Sequence, residues 1–171
     1  QALQKLKDAI SIYPAFAVAY NNMGVIYSQL GDPAGAHNAL QRAVNLNDHF
    51  ALAYLNLGRI SMAAGDFAGA EASLDKASRF GPADPTTLVL LSYAEYMNGS
   101  LDEAIATSRV AHALGKPHAM VHRMAASAFE RKNQAANAIA ELELFLKEEP
   151  SGASADAARK ELEAVNAALL R

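Results

Sequence analysis

With 171 residues, 51% of them hydrophobic, a net charge of −3 at pH 7 and no cysteine, the chain has a globular composition and lacks the marks of several function classes. No basic run that would neutralise phosphates stands out, which argues against nucleic acid as a partner. Without cysteine there are no disulfides, thiolate metal sites or thiol nucleophiles, and no apolar run approaches the ~20 residues that span a bilayer. Ala makes up roughly a fifth of the sequence; it has the highest helix propensity and lets helices approach closely, so an all-α stack is expected. The composition suits a bacterial source, in the cytoplasm or the cell envelope. The chain starts at Gln1 rather than Met, and no basic segment precedes an apolar core there, the pattern of a mature product or an excised fragment.

Residues 1–13 place Leu3, Leu6, Ala9, Ile10 and Tyr13 at helical spacing and stop before Pro14, so the first predicted element is a helix. Helices over 16–30 and 33–46 follow. Between them Gly31-Asp32-Pro33 supplies a residue suited to positive φ, a side chain that caps the next helix and a proline that fits its first turn. The next pair, 50–64 and 67–80, is broken at Gly65-Asp66 by the same chemistry and closed by Gly81-Pro82-Ala83-Asp84-Pro85. Further pairs are predicted over 85–98 with 101–114, and 118–131 with 134–148. Within 153–171, Ala155, Ala158, Leu162, Val165 and Leu169 form one apolar stripe beside Lys160, Glu161 and Glu163, an amphipathic last helix. Short, similar turns make each pair antiparallel.

One stretch occurs twice, 34 residues apart: Ala19-Tyr20-Asn21-Asn22-Met23-Gly24 and Ala53-Tyr54-Leu55-Asn56-Leu57-Gly58. Tyr27, Ala36, Leu40 and Ala43 extend the first copy, and Ala70, Leu74, Ala77 and Pro82 the second. This helix–turn–helix period resembles the tetratricopeptide repeat family. The resemblance implies a right-handed αα superhelical solenoid with repeats over 17–50, 51–84, 85–118 and 119–152. The last two diverge: Ser92 stands for the Gly, Glu95 for the aromatic, Ser108 for the bulky residue and Lys116 for the Pro, while His122 takes the first aromatic position of the fourth and Phe145 stands where Ala is usual. One period before the first full repeat, Ala2, Leu6, Ala9 and Pro14 fall on second-helix positions. Residues 1–16 therefore read as the second helix of a truncated preceding repeat, and 153–171 as a C-terminal capping helix.

The signature residues Tyr20, Met23, Tyr27, Leu40, Tyr54, Leu57, Leu74, Leu91, Phe129 and Leu142 are expected in the core. The resemblance assigns other first-helix positions to a concave groove, and the candidates there are Asn22, Val25, Gln29, Asn56, Arg59, Tyr93, Tyr96, Met97, Met120 and Arg123. Asn22 and Asn56 share one repeat position in words similar to those of O-linked N-acetylglucosamine transferase and kinesin light chain. In the transferase such Asn residues form a ladder, which implies a donor and an acceptor offered to an extended peptide backbone; the competing reading is that these amides solvate a helix or bond within the repeat. Leu90 and Met124 interrupt the ladder further on. The class of tetratricopeptide domain that clamps a C-terminal carboxylate needs Lys and Arg on successive first helices; its positions here read Asn21, Val25, Asn56, Thr86 and Leu90, of which only the central Asn matches, so that class is rejected.

His118 and His122 stand four apart, a spacing that can chelate a metal, but no acid follows His118 as in the zinc-protease motif and His122 sits at a packing position, so a structural role is expected. His37, His49 and His112 are scattered. Asp102 and Glu103 open a helix, where carboxylates favour the positive end of its dipole. No Gly-rich phosphate loop, nucleophile elbow or paired-acid constellation appears; no cofactor, no metal and no catalysis are expected. The function implied by the resemblance is binding of a protein or peptide segment in the concave groove. Two alternatives stay open: an oligomerisation module using residues 1–13, and the substrate-recognition arm of a larger enzyme.

Overall fold

The computed structural model describes residues 1–114 and 120–169, and they form ten helices: α1 (Ala2–Ile12), α2 (Ala17–Gln29), α3 (Pro33–Leu46), α4 (Ala51–Ala63), α5 (Phe67–Phe80), α6 (Pro85–Asn98), α7 (Leu101–Ala113), α8 (Met120–Arg131), α9 (Ala135–Glu148) and α10 (Ala153–Leu169). No strand occurs among the described residues. The chain divides into two compact units, Gln1–Ala83 with α1 to α5 and Asp84–Arg171 with α6 to α10. No helix among the described residues is long and apolar enough to cross a membrane. The helix expected over 118–131 is seen from Met120 onward; its first two residues lie outside the described residues.

In the first unit α2 packs on α3 and α4 on α5, with α3 packed on α4 and α1 on α2. The turns are built as their residues dictate. Gly31 and Gly65 take φ of +74° and +76°, which only glycine adopts cheaply, and the next residue in each case caps a helix: Asp32 Oδ1 accepts from Gly35 N at 2.8 Å and Asp66 Oδ1 from Gly69 N at 2.9 Å. The helices then meet at Gly24 and Gly58. A Cβ on Gly24 would lie 2.5 Å from Leu40 Cγ, and one on Gly58 2.5 Å from Leu74 Cγ, so each leucine occupies the space its glycine leaves. Leu40, Ala43, Val44, Ala53, Tyr54, Leu57 and Ala77 form the core here.

The second unit pairs α6 with α7 and α8 with α9, and α10 docks on α9. Asp84 caps α6, accepting from Thr87 N at 2.9 Å and Thr87 Oγ1 at 2.7 Å. Gly99 ends the helix at φ +92°, and at the corresponding turn between α8 and α9 Asn133 takes a positive φ of 56°. Two apolar clusters hold this unit: Ile105, Ala125, Ala128, Phe129 and Ala138, and Ala126, Leu142, Phe145 and Ala158. Phe145, placed where the repeat usually has Ala, is fully buried beneath α10.

Of the ten expected core residues, Met23, Leu40, Tyr54, Leu57, Leu74, Leu91, Phe129 and Leu142 are buried. Tyr20 and Tyr27 are only half-buried. Both line a surface cleft with Met23, Asp32 and Gly35, and Tyr20 also packs against the core cluster.

Candidate functional site

Four of the residues singled out in the first unit converge on one cleft. Val25 and Gln29 come from α2, one turn apart, and Asn56 and Arg59 from α4; with Gly24 and Ser28 they line a cavity of about 230 Å³. Val25 and Asn56 are half-buried, whereas Asn22, Gln29 and Arg59 are exposed. Gly24, required for the approach of Leu40, also opens this cleft.

The two repeated asparagines are not bonded to one another directly. Asn56 Nδ2 donates to Asn21 Oδ1 at 2.9 Å, and Asn21 Nδ2 donates in turn to Asn22 Oδ1 at 3.3 Å. Asn21 is 2% exposed. It is the fixed middle of a three-amide chain running from α4 to α2. The resemblance puts Asn21 among the groove positions themselves; the structure instead buries it and makes it the residue that orients Asn56, because a buried amide must spend its donors and acceptors on neighbours.

In the second unit the five candidates fare differently. Tyr93 and Met97 are exposed four residues apart on α6, a spacing that puts them on one helix face, and Met120 is exposed at the start of α8. Tyr96 is half-buried: its carbonyl oxygen accepts from Arg131 Nη1 at 2.6 Å, and the Arg131 guanidinium sits 5.0 Å from its ring centroid. Arg123 donates through Nη2 to Glu161 Oε2 at 3.2 Å and lies 5.8 Å from the Phe145 ring centroid, so it ties α8 to α10. Glu130, on the same helix, has its carboxyl raised above the ordinary value by burial, and further by the charge of Glu161 and a hydrogen bond with it.

A further cluster lies on α7, α8 and α9. His122 is buried, and its Nδ1 lies 2.8 Å from Glu141 Oε2. Arg109 Nη2 stands 3.7 Å from the other Glu141 oxygen. The His112 and His122 rings are 4.7 Å apart, and Glu148 Oε1 lies 3.6 Å from both His112 Nδ1 and His122 Nε2. Arg109, His112, His122 and Glu141 border a cavity of about 220 Å³ lined also by Ser108, Val121 and Leu144. His122, expected in a structural role, finds Glu141 as its partner, and no sequence spacing links it to His112; His118 lies outside the described residues. No spacing rule could have found this trio, since its members come from three helices.

The family model described as tetratricopeptide repeat matches residues 21–85 and 62–115. No curated protein matches the sequence. Among solved structures, MamA from Desulfovibrio magneticus RS-1, from residue 41 to its end, is 20% identical with a TM-score of 0.75, covering 88% of this chain and 85% of that one. PilF of Pseudomonas aeruginosa is 16% identical with a TM-score of 0.70 over 92% and 72% of the two chains. A chain of the Cut9–Hcn1 hetero-tetramer of the APC/C is 21% identical with a TM-score of 0.69, over 94% of this chain and 32% of that one. At these identities the likeness shows the fold, an all-α superhelical solenoid.

Proposed function

Because the chain belongs to the tetratricopeptide repeat family, whose fold is in general a protein-interaction scaffold, we propose that it binds an extended segment of a partner protein and performs no catalysis. The observation that carries this reading is the convergence of Val25, Gln29, Asn56 and Arg59 on one cleft beside the Asn56–Asn21–Asn22 chain. Amides held in fixed orientation suit the alternating donors and acceptors of a peptide backbone. Val25 adds an apolar floor. Arg59 makes no ion pair among the described residues, and its exposed guanidinium suits a carboxylate or a run of carbonyls. Tyr93, Met97 and Met120 form the adaptable part of the surface in the second unit, as exposed aromatic and thioether side chains do. Arg123 and Tyr96 support that surface from within, since their own bonds hold α8 to its neighbours.

Selection from a displayed random-peptide library tests the reading, with the wild type beside an Asn22→Ala/Asn56→Ala/Arg59→Ala variant that circular dichroism shows to be folded. Peptides enriched by the wild type and bound at least ~10-fold more weakly by the variant support it. Equal binding by both moves the site away from this cleft.

A second reading is self-association through residues 1–13. Its observation is that α1 has no buried residue, while Ile12 and Tyr13 are each 69% exposed. Sedimentation equilibrium with and without Leu6→Asp decides it: a mass that rises with concentration only in the wild type supports self-association, and a monomer throughout removes it.

A further inference from the structure

We propose that His112, His122 and Glu148 form a site for a divalent transition-metal ion of the zinc class, with Glu141 orienting His122 from behind. Their donor atoms lie within 4.8 Å of one another, one each from α7, α8 and α9.

Three observations carry the proposal. The first is what the nitrogens lack. His122 Nε2 and His112 Nδ1 are buried atoms with no hydrogen-bond partner, and the His122 side chain is only 8% exposed. A separation of 3.6 Å to Glu148 Oε1 is too long for a hydrogen bond, so the carboxylate faces both nitrogens without satisfying either.

The second is the tautomer. Glu141 Oε2 sits 2.8 Å from His122 Nδ1, and a carboxylate beside Arg109 accepts rather than donates. In the neutral ring the proton therefore resides on Nδ1, and Nε2 turns a lone pair toward His112 and Glu148. A carboxylate–histidine arrangement of this kind fixes ring orientation and raises basicity at metal centres.

The third is size. Tetrahedral zinc with bonds of about 2.0–2.1 Å separates its ligand atoms by about 3.4 Å. The two 3.6 Å separations are within a few tenths of an ångström of that spacing. Two imidazoles with one carboxylate favour zinc and its neighbours over magnesium or calcium, which prefer oxygen. Three protein ligands leave one position for water, and the adjoining cavity of about 220 Å³ holds another buried polar atom without a partner, Ser108 Oγ.

The bound ion would add a further link to three helices already joined by the His122–Glu141 and Arg109–Glu141 pairs and by apolar packing. The His118–His122 pair weighed from the sequence is a different site, and one experiment separates the two.

The 171-residue chain, stripped with a chelator, is titrated with Zn²⁺ by calorimetry, and with Co²⁺ while its visible absorption is followed. One equivalent is expected to bind, with the absorption of four- or five-coordinate cobalt and a raised melting temperature. His112→Ala and Glu148→Gln, each checked for folding by circular dichroism, are expected to weaken binding at least ~100-fold, and Glu141→Gln about 10- to 100-fold. His118→Ala and the His37→Ala/His49→Ala double variant are expected to bind as the wild type does. Absence of saturable binding by the wild type overturns the proposal. So does unchanged binding in folded His112→Ala and Glu148→Gln, or a loss confined to His118→Ala or to the His37/His49 variant.

Discussion

In the first unit Gly24 lies against Leu40 and Gly58 against Leu74, each leucine filling a space that a single added carbon would close. At the same positions of the 34-residue period the second unit has first Ser92 and Ser108 and then Ala126 and Leu142, all buried, and it brings in Thr87, Glu95, His122 and Glu141 as buried polar groups. The first unit has only Asn21 and Ser61 in that class. One unit is thus held by shape and the other partly by polar pairs. Shape complementarity is insensitive to pH and to ions, whereas buried polar groups must be satisfied and their satisfaction can change with protonation or a bound ion. The unit whose repeat pattern is weaker is therefore the one whose stability is expected to respond more to solution conditions.

The largest expected effect breaks the polar unit. Glu141→Ala leaves a buried imidazole N–H without its acceptor and costs about 3 kcal/mol, the scale for deleting one partner of a buried pair. Urea unfolding gives the size, and hydrogen exchange should show the loss in α8 and α9 with α2 to α5 unaffected. A cost below ~1 kcal/mol would mean that the pair contributes little and the units are more alike than their chemistry suggests.

Next comes the steric unit. Gly58→Leu drives a side chain into Leu74 and is expected to cost about 2 kcal/mol through overpacking, while Ser92→Ala, which removes only a bond to the Val89 carbonyl, should cost less than ~1 kcal/mol. Equal melting temperatures for the two variants would erase the contrast.

A smaller effect sharpens the comparison through pH. The Asp84 carboxyl is held below its ordinary value of 3.8, first by the Thr87 hydroxyl and then, against a cost of burial, by the amides of Thr87 and Thr86. A lowered folded value means the contribution is complete above the ordinary value and is lost as pH falls through it toward the folded one. Asp84→Ala should therefore cost about 1 kcal/mol at pH 7, and the gap to wild type should close below about pH 4. A gap that persists in acid would show that packing, not the charge, is what the substitution removes.

The smallest effect has the opposite sign. Glu130 has its carboxyl raised above 4.5, by burial first and then by Glu161, so its ionised form is disfavoured in the folded chain. It weakens the fold above the raised value, and that penalty is relieved as pH falls toward the ordinary one. Glu130→Gln should stabilise the protein at pH 7 by ~0.5 kcal/mol or less, with the gain fading in mild acid. Melting curves of the two proteins across that range check the sign.

The sequence by itself determined the helices, their turns and the family. Gly31-Asp32 and Gly65-Asp66 can only end one helix and begin another cheaply, and the returning Ala-Tyr-x-Asn-x-Gly words fix the period, because such signals act between residues a few positions apart. The family resemblance assigned Val25, Gln29, Asn56 and Arg59 to positions that the structure brings to one cleft. Only the tertiary structure decided that Asn56 is oriented by Asn21, that Arg123 and Tyr96 are engaged by Glu161 and Arg131, and that His112, His122 and Glu148 meet. Each of these pairs side chains from different helices. Helical spacing says which face a residue is on, but the partner it finds there depends on the rotation and approach of the neighbouring helix, which packing volume sets.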